Sequence, residues 1–290
     1  MPYGSGMGGQ SGTSGMIMSL PEHHEELVTV VKEKKARNRD INIVSPFAGK
    51  TFCFGEWKKS LGKLPLDRGH VVMYDNSNDP AFSRRLQKFC ESELDSYKLV
   101  KDTNAQLTLE LSNDWTAIGK RCRAVYGIIY NQLIDHSKPL SLNLEDDIGV
   151  PDGAWERLMF HAEDDKVGTV IAKCYDRRAW TRDKIKQAIS VNFKVTEMIG
   201  PSGVAPEIKL VHLEEKDFGV ESIGAGHMGL WLTKTDVIKD LSMGHQFANL
   251  VGNDINWGYA VNQAGLLFVQ DWGVKLDHYY KSDSGKKLSC

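Results

Sequence analysis

Leu140-Ser-Leu-Asn-Leu-Glu-Asp-Asp-Ile148 is the stretch on which the fold turns. Residues 140–144 alternate apolar and polar side chains, which places one face of a strand in a core. The strand runs straight into Glu145, Asp146 and Asp147, three carboxylates in a row at its carboxyl end. In an open α/β sheet that end is where ligands bind, and negative charge concentrated beside a low-dielectric interior is costly unless a cation relieves it. Hard oxygen ligands favour magnesium, manganese or calcium, ions that most often accompany a phosphorylated substrate. A solvated turn is the plain alternative for the same three acids.

Working outward, Thr116 to Ile134 carries Ile118, Cys122, Val125, Ile129 and Leu133 on one side, the clearest helical spacing in the chain. Before it, Ile41–Val44, Val71–Tyr74 and Tyr97–Val100 read as strands, separated by helical patterns over Glu56–Leu61 and Ala81–Leu94. Asp75-Asn-Ser-Asn-Asp-Pro80, after the second strand, is a turn and helix-start signal. Alternating strands and helices predict a single α/β domain over residues 41–280, with a mostly parallel central sheet flanked by helices. Residues 1–19, rich in glycine and serine, read as a flexible leader; residues 20–40 as a basic helix; residues 281–290 as a polar tail. The run Lys32 to Arg39 is a solvated face or a contact with a polyanion or membrane surface.

Composition bounds the function. The chain has 290 residues, 36 basic against 38 acidic side chains and 41% hydrophobic residues, enough apolar material for a large core. A net charge of −2 argues against a protein held on nucleic acid by bulk charge, though not against a local basic groove. No stretch approaches the roughly 20 apolar residues of a membrane-spanning helix, and no secretion signal opens the chain, so the expected location is cytoplasmic. Cys53, Cys90, Cys122, Cys174 and Cys290 form no C-x-x-C pair and read as reduced thiols. There is no H-E-x-x-H and no G-x-S-x-G. Gly49-Lys50-Thr51 ends like a phosphate-binding loop, but Val44 stands where its first glycine is needed. Gly224-Ala-Gly-His-Met-Gly229 has the letters of a dinucleotide fingerprint, yet Leu230-Trp-Leu-Thr233 after it reads as extended rather than helical.

The order of these features resembles a glycosyltransferase of the GT-A fold, similar to glycosyltransferase family 2. Ile41-Asn-Ile-Val-Ser-Pro-Phe47 resembles its first strand and nucleotide loop, and Val71-Val-Met-Tyr-Asp-Asn-Ser77 its second strand with a terminal acid. Leu142-Asn-Leu-Glu-Asp-Asp-Ile148 resembles the strand ending in the acidic D-x-D motif, with Glu145 in place of the first aspartate. Gly226-His-Met-Gly-Leu-Trp-Leu232 resembles the acceptor-side segment. Gly252-Asn-Asp-Ile-Asn-Trp-Gly-Tyr259 resembles the segment opening the base-bearing helix, with Asn253 where glutamate is usual. The resemblance spans residues 41–278 and rests on order and spacing, not on one motif.

It implies that Pro46, Phe47, Asp75 and Asn76 line a nucleotide pocket, that Asp146 faces the ribose or donor sugar, and that Arg121 reaches a phosphate. Glu145, Asp147 and His278 are then the expected ligands of Mn2+ or Mg2+, holding it against the diphosphate of a nucleoside diphosphate sugar. Asp254 is the expected general base, because an acceptor hydroxyl is a poor nucleophile until its proton is removed, and inversion is the expected course. Helix capping is its structural alternative. Met228, Gly229, Trp231 and Trp257 fall on the acceptor side, where indole faces stack on sugars or bases; burial in the core is the competing use. A glycan, lipid, protein or hydroxymethylated DNA base all fit an acceptor hydroxyl, and Arg84-Arg85, Lys120-Arg121 and Arg177-Arg178 would line a groove for DNA. Two other readings stay open: a sugar nucleotidyltransferase, and a non-catalytic module whose acids hold calcium or whose surface binds carbohydrate.

Overall fold

The computed structural model describes residues 28–47, 50–102, 115–175, 188, 190–200, 203–244, 252–281 and 287–289. The glycine-rich leader and Arg177-Arg178 lie outside them. The first element among the described residues is a strand, β1 (Val28–Lys34), inside the span 20–40 that the sequence predicts as a basic helix; residues 20–27 of that span lie outside the described residues. Its run of β-branched Val28, Thr29, Val30 and Val31 suits an extended backbone. A sheet edge decides the matter: β1 pairs antiparallel with β4 (Tyr97–Asp102), Val28 facing Asp102, with an irregularity between Val30 and Lys32.

The remaining elements follow the predicted alternation. β2 (Ile41–Phe47), α1 (Phe54–Leu61), β3 (Gly69–Asp75), α2 (Pro80–Glu93) and β4 lead to α3 (Trp115–Ile128), which closes on a π-helical turn at Ile129–Leu133. Asp79 caps α2, its Oδ1 accepting from the backbone N–H of Ala81 and Phe82, with Pro80 at the first helical position. Then come β5 (Leu140–Leu144), β6 (Ile148–Gly149), α4 (Ala154–Ala162) and β7 (Val167–Lys173). A hairpin of β8 (Ser190–Gly200) and β9 (Gly203–His212) precedes β10 (Val220–Ile223), β11 (Ala225–Gly226) and β12 (Leu230–Lys234). The chain continues through α5 (Thr235–Leu241), α6 (Asn253–Gln263), β13 (Leu267–Lys275), β14 (Asp277–Lys281) and β15 (Lys287–Ser289). The predicted polar tail therefore contributes a strand, β15 pairing antiparallel with β14.

Among the described residues the main sheet has nine strands, in the order β1-β4-β3-β2-β5-β12-β7-β13-β10. Strands β4, β3, β2 and β5 are parallel neighbours, so their carboxyl ends form one edge. β12 runs antiparallel between β5 and β7, placing Trp231 opposite Asn143 and Ile171. Both faces of the sheet are covered, which explains why β2 and β3 are buried along most of their length. Ile41 and Ile43 pack with Trp57 and Leu86 on one face, while Val44 and Val72 pack with Tyr130 and Ile238 on the other. The two indoles expected on the acceptor side belong to this second core. Trp231 is fully buried with its ring 5.0 Å from that of Tyr130, and buried Trp257 donates from Nε1 to Thr169 Oγ1 at 3.0 Å. Neither presents a face for stacking on an acceptor. Among the described residues no helix is long and apolar enough to cross a membrane.

Candidate active site

Buried acids gather at the carboxyl edge of the parallel strands. β3 ends on Asp75, whose Oδ1 accepts from the backbone N–H and hydroxyl of Ser77 at 2.9 and 2.6 Å. Its Oδ2 accepts from Ser83 Oγ at 2.5 Å and from Lys101 Nζ at 3.1 Å. β4 ends on Asp102, whose Oδ2 accepts from the Tyr74 hydroxyl at 2.5 Å and Asn76 Nδ2 at 2.9 Å. Burial, then the Asp102 carboxylate, push the Tyr74 phenol well above its ordinary pKa, so it remains a donor. Between these strand ends and β1 lies a cavity of about 370 Å³, lined by Val31, Asp75, Ser77, Ser83, Arg84 and Asp102 among others. That volume lies within the range of small-ligand pockets.

The backbone of Asn76 is tied to β2, its N–H donating to the Phe47 carbonyl at 3.0 Å. The Phe47 ring is buried in an aromatic cluster, 4.8 Å from Trp57, and is core rather than pocket wall; Pro46 beside it is half-buried. Arg85 lies over the Phe54 ring at 5.1 Å. Half-buried Arg121 sits on α3.

The second cluster follows β5. Glu145 is fixed at both ends: its N–H donates to the Gly229 carbonyl at 2.9 Å, and its Oε1 accepts from the Tyr126 hydroxyl of α3 at 2.8 Å. Gly229 is required by proximity, since a Cβ there would lie 2.8 Å from the Ile148 side chain. Buried Met228 accepts at its carbonyl from Asn143 Nδ2 at 3.0 Å. Met228 and Gly229 thus brace the acidic turn from behind instead of forming an acceptor platform.

Asp146 and Asp147 are buried, and Lys50 Nζ reaches both, 3.5 Å from Asp146 Oδ1 and 2.5 Å from Asp147 Oδ2. His278 of β14 places Nε2 3.2 Å from Asp147 Oδ2, in a strand held there by the Tyr279 N–H donating to the Asp147 carbonyl at 2.8 Å. The structure therefore brings Glu145, Asp146, Asp147 and His278 together. Burial opposes a charge on His278, but the Cys174 sulfur and the Asp147 carboxylate outweigh it and hold the imidazole well above its usual pKa.

Two further side chains join His278. Cys174, just past β7, has Sγ 3.7 Å from His278 Nδ1, and the His227 and His278 rings lie 5.2 Å apart. Burial would raise the Cys174 thiol, yet His227 and His278 bring it down to about 7. Burial would likewise lower His227, while Cys174 raises it to about 9. Neither residue follows from sequence, because no spacing signal links positions so far apart. Asp102 had one: β4, like β3, ends on an acid.

Asp254 lies in the first turn of α6, half-buried, with Oδ1 accepting from the Ile255 N–H at 3.0 Å. Burial raises its pKa; the charge of His227 pulls it back and that of Glu145 adds to the rise, so Asp254 is electrostatically part of the same site. Its helix comes close because Gly258 faces β11, where a Cβ would stand 2.5 Å from that of Ala225. Close packing likewise accounts for Gly224, where a Cβ would stand 2.9 Å from the Asn192 backbone, and for Gly229, without a bound dinucleotide.

No family model and no curated protein matches the sequence. Solved structures do. GalNAc-T7 with UDP, GalNAc and Mn2+ superposes with a TM-score of 0.53 at 12% identity, over 87% of this chain and 46% of that one. A mannosyltransferase from Pyrobaculum calidifontis in complex with GDP-Man and Mn2+ gives 0.44 at 14% identity, over 82% and 56%. A197 from STIV gives 0.41 at 7% identity, over 86% and 93%. The chain spans about half the length of the first two. With its central sheet, parallel in the core and helix-covered on both faces, the chain has a GT-A-like fold.

Proposed function

We propose that the protein is a metal-dependent glycosyltransferase, moving a sugar from a nucleoside diphosphate sugar to an acceptor hydroxyl. The observation that carries this reading is the carboxyl edge, where β3 and β4 end on buried Asp75 and Asp102 beside a small-ligand-sized cavity and β5, on the far side of β2, ends on Glu145 and the buried Asp146 and Asp147. Asp75, Asn76 and Asp102 offer a nucleoside their acceptors and an amide. Asp146 faces the ribose or donor sugar, and Arg121 serves a phosphate.

The donor set fits a hard divalent ion. Asp147 is fully buried and already collects an ammonium from Lys50 and an imidazole from His278, as a desolvated carboxylate in want of positive charge would. Glu145 and Asp147 would hold Mn2+ or Mg2+ there, with His278 Nε2 beside them. Bound, the ion supplies Lewis acidity to the departing diphosphate. Asp254 takes the proton of the acceptor hydroxyl as its oxygen bonds to the anomeric carbon. The bond from that carbon to the diphosphate oxygen breaks, the nucleoside diphosphate leaves with the electron pair, and the configuration inverts. Burial keeps the Asp254 pKa above the ordinary aspartate value, which strengthens it as a base.

A thermal-shift screen of nucleoside diphosphates and sugar nucleotides, with and without Mn2+, tests this reading. A ligand at one hundred times its Kd adds about 2.7 kcal/mol of stability. The expected result is a nucleotide shift that requires the metal, with nucleoside diphosphate released on turnover. Pyrophosphate release would instead indicate a nucleotidyltransferase, and stabilisation by calcium alone a binding module.

A further inference from the structure

Cys174, His227 and His278 lie behind the acidic turn, on the side of His278 that does not face Asp147. Each offers one ligand atom, and the three atoms all lie within 4.8 Å of one another. Cys174 and His278 are buried and His227 half-buried. They come from three elements fixed independently: the end of β7, the turn after β11 and the strand β14.

We propose that these three side chains form a second cation site, selective for a borderline-soft divalent ion of the zinc type and separate from the oxygen-rich site of Glu145 and Asp147. Ligand chemistry carries the distinction. One sulfur and two imidazole nitrogens suit zinc or cobalt, whereas Mn2+ and Mg2+ prefer the carboxylates next door. Distance agrees: zinc–sulfur and zinc–nitrogen bonds of about 2.3 and 2.0 Å at a tetrahedral angle put the two atoms about 3.5 Å apart. The Cys174 Sγ to His278 Nδ1 separation is 3.7 Å. A tetrahedral ion would need two hydrogen bonds given up, that of His278 Nδ1 to the Tyr175 carbonyl at 2.8 Å and that of the Gly229 N–H to His227 Nδ1 at 3.1 Å.

The outer shell is present as well. With Nδ1 on the ion, Nε2 keeps its proton and donates to Asp147 Oδ2, 3.2 Å away, the carboxylate–histidine arrangement that orients metal-bound imidazoles. The ion needs a thiolate and two neutral imidazoles, so binding releases the proton of the Cys174 thiol, that of His278 Nδ1 and the one that charges His227, and the thiolate stays on the ion. His278 then serves the neighbouring acids as a hydrogen-bond donor, and the oxygen-rich site is left to the carboxylates. This assignment does not depend on the transfer reaction.

The test uses the full chain, stripped of metal and titrated with cobalt and then zinc in the absence of any nucleotide. One cobalt per chain is expected to give a thiolate-to-cobalt charge-transfer band, and zinc to abolish it by displacement. Cys174→Ser should remove the band while Glu145→Gln, in the oxygen-rich site, should leave it in place. Zinc-edge X-ray absorption of the wild-type chain, which needs no variant to fold, should show sulfur among the ligands. No charge-transfer band at saturating cobalt, a band that survives Cys174→Ser, or a zinc shell of oxygen and nitrogen alone would overturn the proposal. A failed nucleotide screen with the cobalt band present removes the transferase reading and leaves this one standing.

Discussion

Lys50 Nζ lies 2.5 Å from Asp147 Oδ2 and 3.5 Å from Asp146 Oδ1, so one ammonium from the segment after β2 is shared by two buried acids at the end of β5 and offsets part of their charge. Removing one partner of a buried ion pair leaves its charge desolvated, which costs about 3 kcal/mol. Lys50→Met should therefore melt at lower temperature than the wild type. Mn2+ or Mg2+ should recover much of the loss, giving the variant a larger metal-induced shift, because the ion supplies the charge the lysine did. A variant with wild-type melting and metal response would show that the pair does not carry the charge of the site.

At the neighbouring strand end, Asp102 accepts from both Tyr74 and Asn76. Tyr74→Phe removes one donor from a buried carboxylate, a loss of about 1.5–3 kcal/mol for a bond to a charged group. In the proposed function Asp102 faces the nucleoside, so the variant should bind nucleoside diphosphate roughly tenfold more weakly, the equivalent of about 1.4 kcal/mol. Calorimetric titration against the wild type reads this directly, and an unchanged Kd would remove Asp102 from the nucleoside pocket.

Legibility in the sequence followed the range of the interactions. The strand Leu140–Leu144 and its terminal acids were readable because period-two alternation is local. β1 was misread because Leu27, Val28, Val30 and Val31 satisfy a helical stripe as well as an extended run, and only the open edge of β4 chooses between them. Trp231 and Trp257 are ambiguous between stacking platform and core in the sequence, and packing alone decides it, Trp231 against Tyr130 and Trp257 against Thr169. Lys50 looked like the end of a phosphate loop, whereas its partner lies 97 residues away. Cys174, His227 and His278 meet only through the packing of three separate elements, which no spacing rule contains.

Asp254 separates binding from chemistry. Asp254→Asn keeps the size of the side chain and the oxygen that accepts from the Ile255 N–H at 3.0 Å, so α6 should stay in place. Metal-dependent nucleotide binding should be unchanged. Transfer should fall by about 10²–10⁴, the usual contribution of a positioned base. In the wild type the rate should rise with pH through a pKa above that of ordinary aspartate, since burial holds the carboxyl protonated to higher pH. Undiminished turnover in the variant would exclude Asp254 as the base.

Acid sensitivity is expected far from the site, at His70 of β3. This imidazole is buried, with Nδ1 2.9 Å from Ser96 Oγ, and burial followed by the charge of Lys138 lowers its pKa from 6.5 to about 4. In the unfolded chain His70 takes up a proton near pH 6.5, whereas in the fold it resists until about pH 4. Between those values the unfolded state binds more protons, so stability falls as pH falls, by about 3 kcal/mol across the window. Above pH 6.5 the imidazole is neutral in both states and contributes no slope. His70→Gln retains a polar partner for Ser96 but does not titrate. Its denaturant-unfolding free energy, measured from pH 7 to 4, should decline less steeply than that of the wild type. Parallel profiles for the two proteins would mean that the acid response originates in other groups.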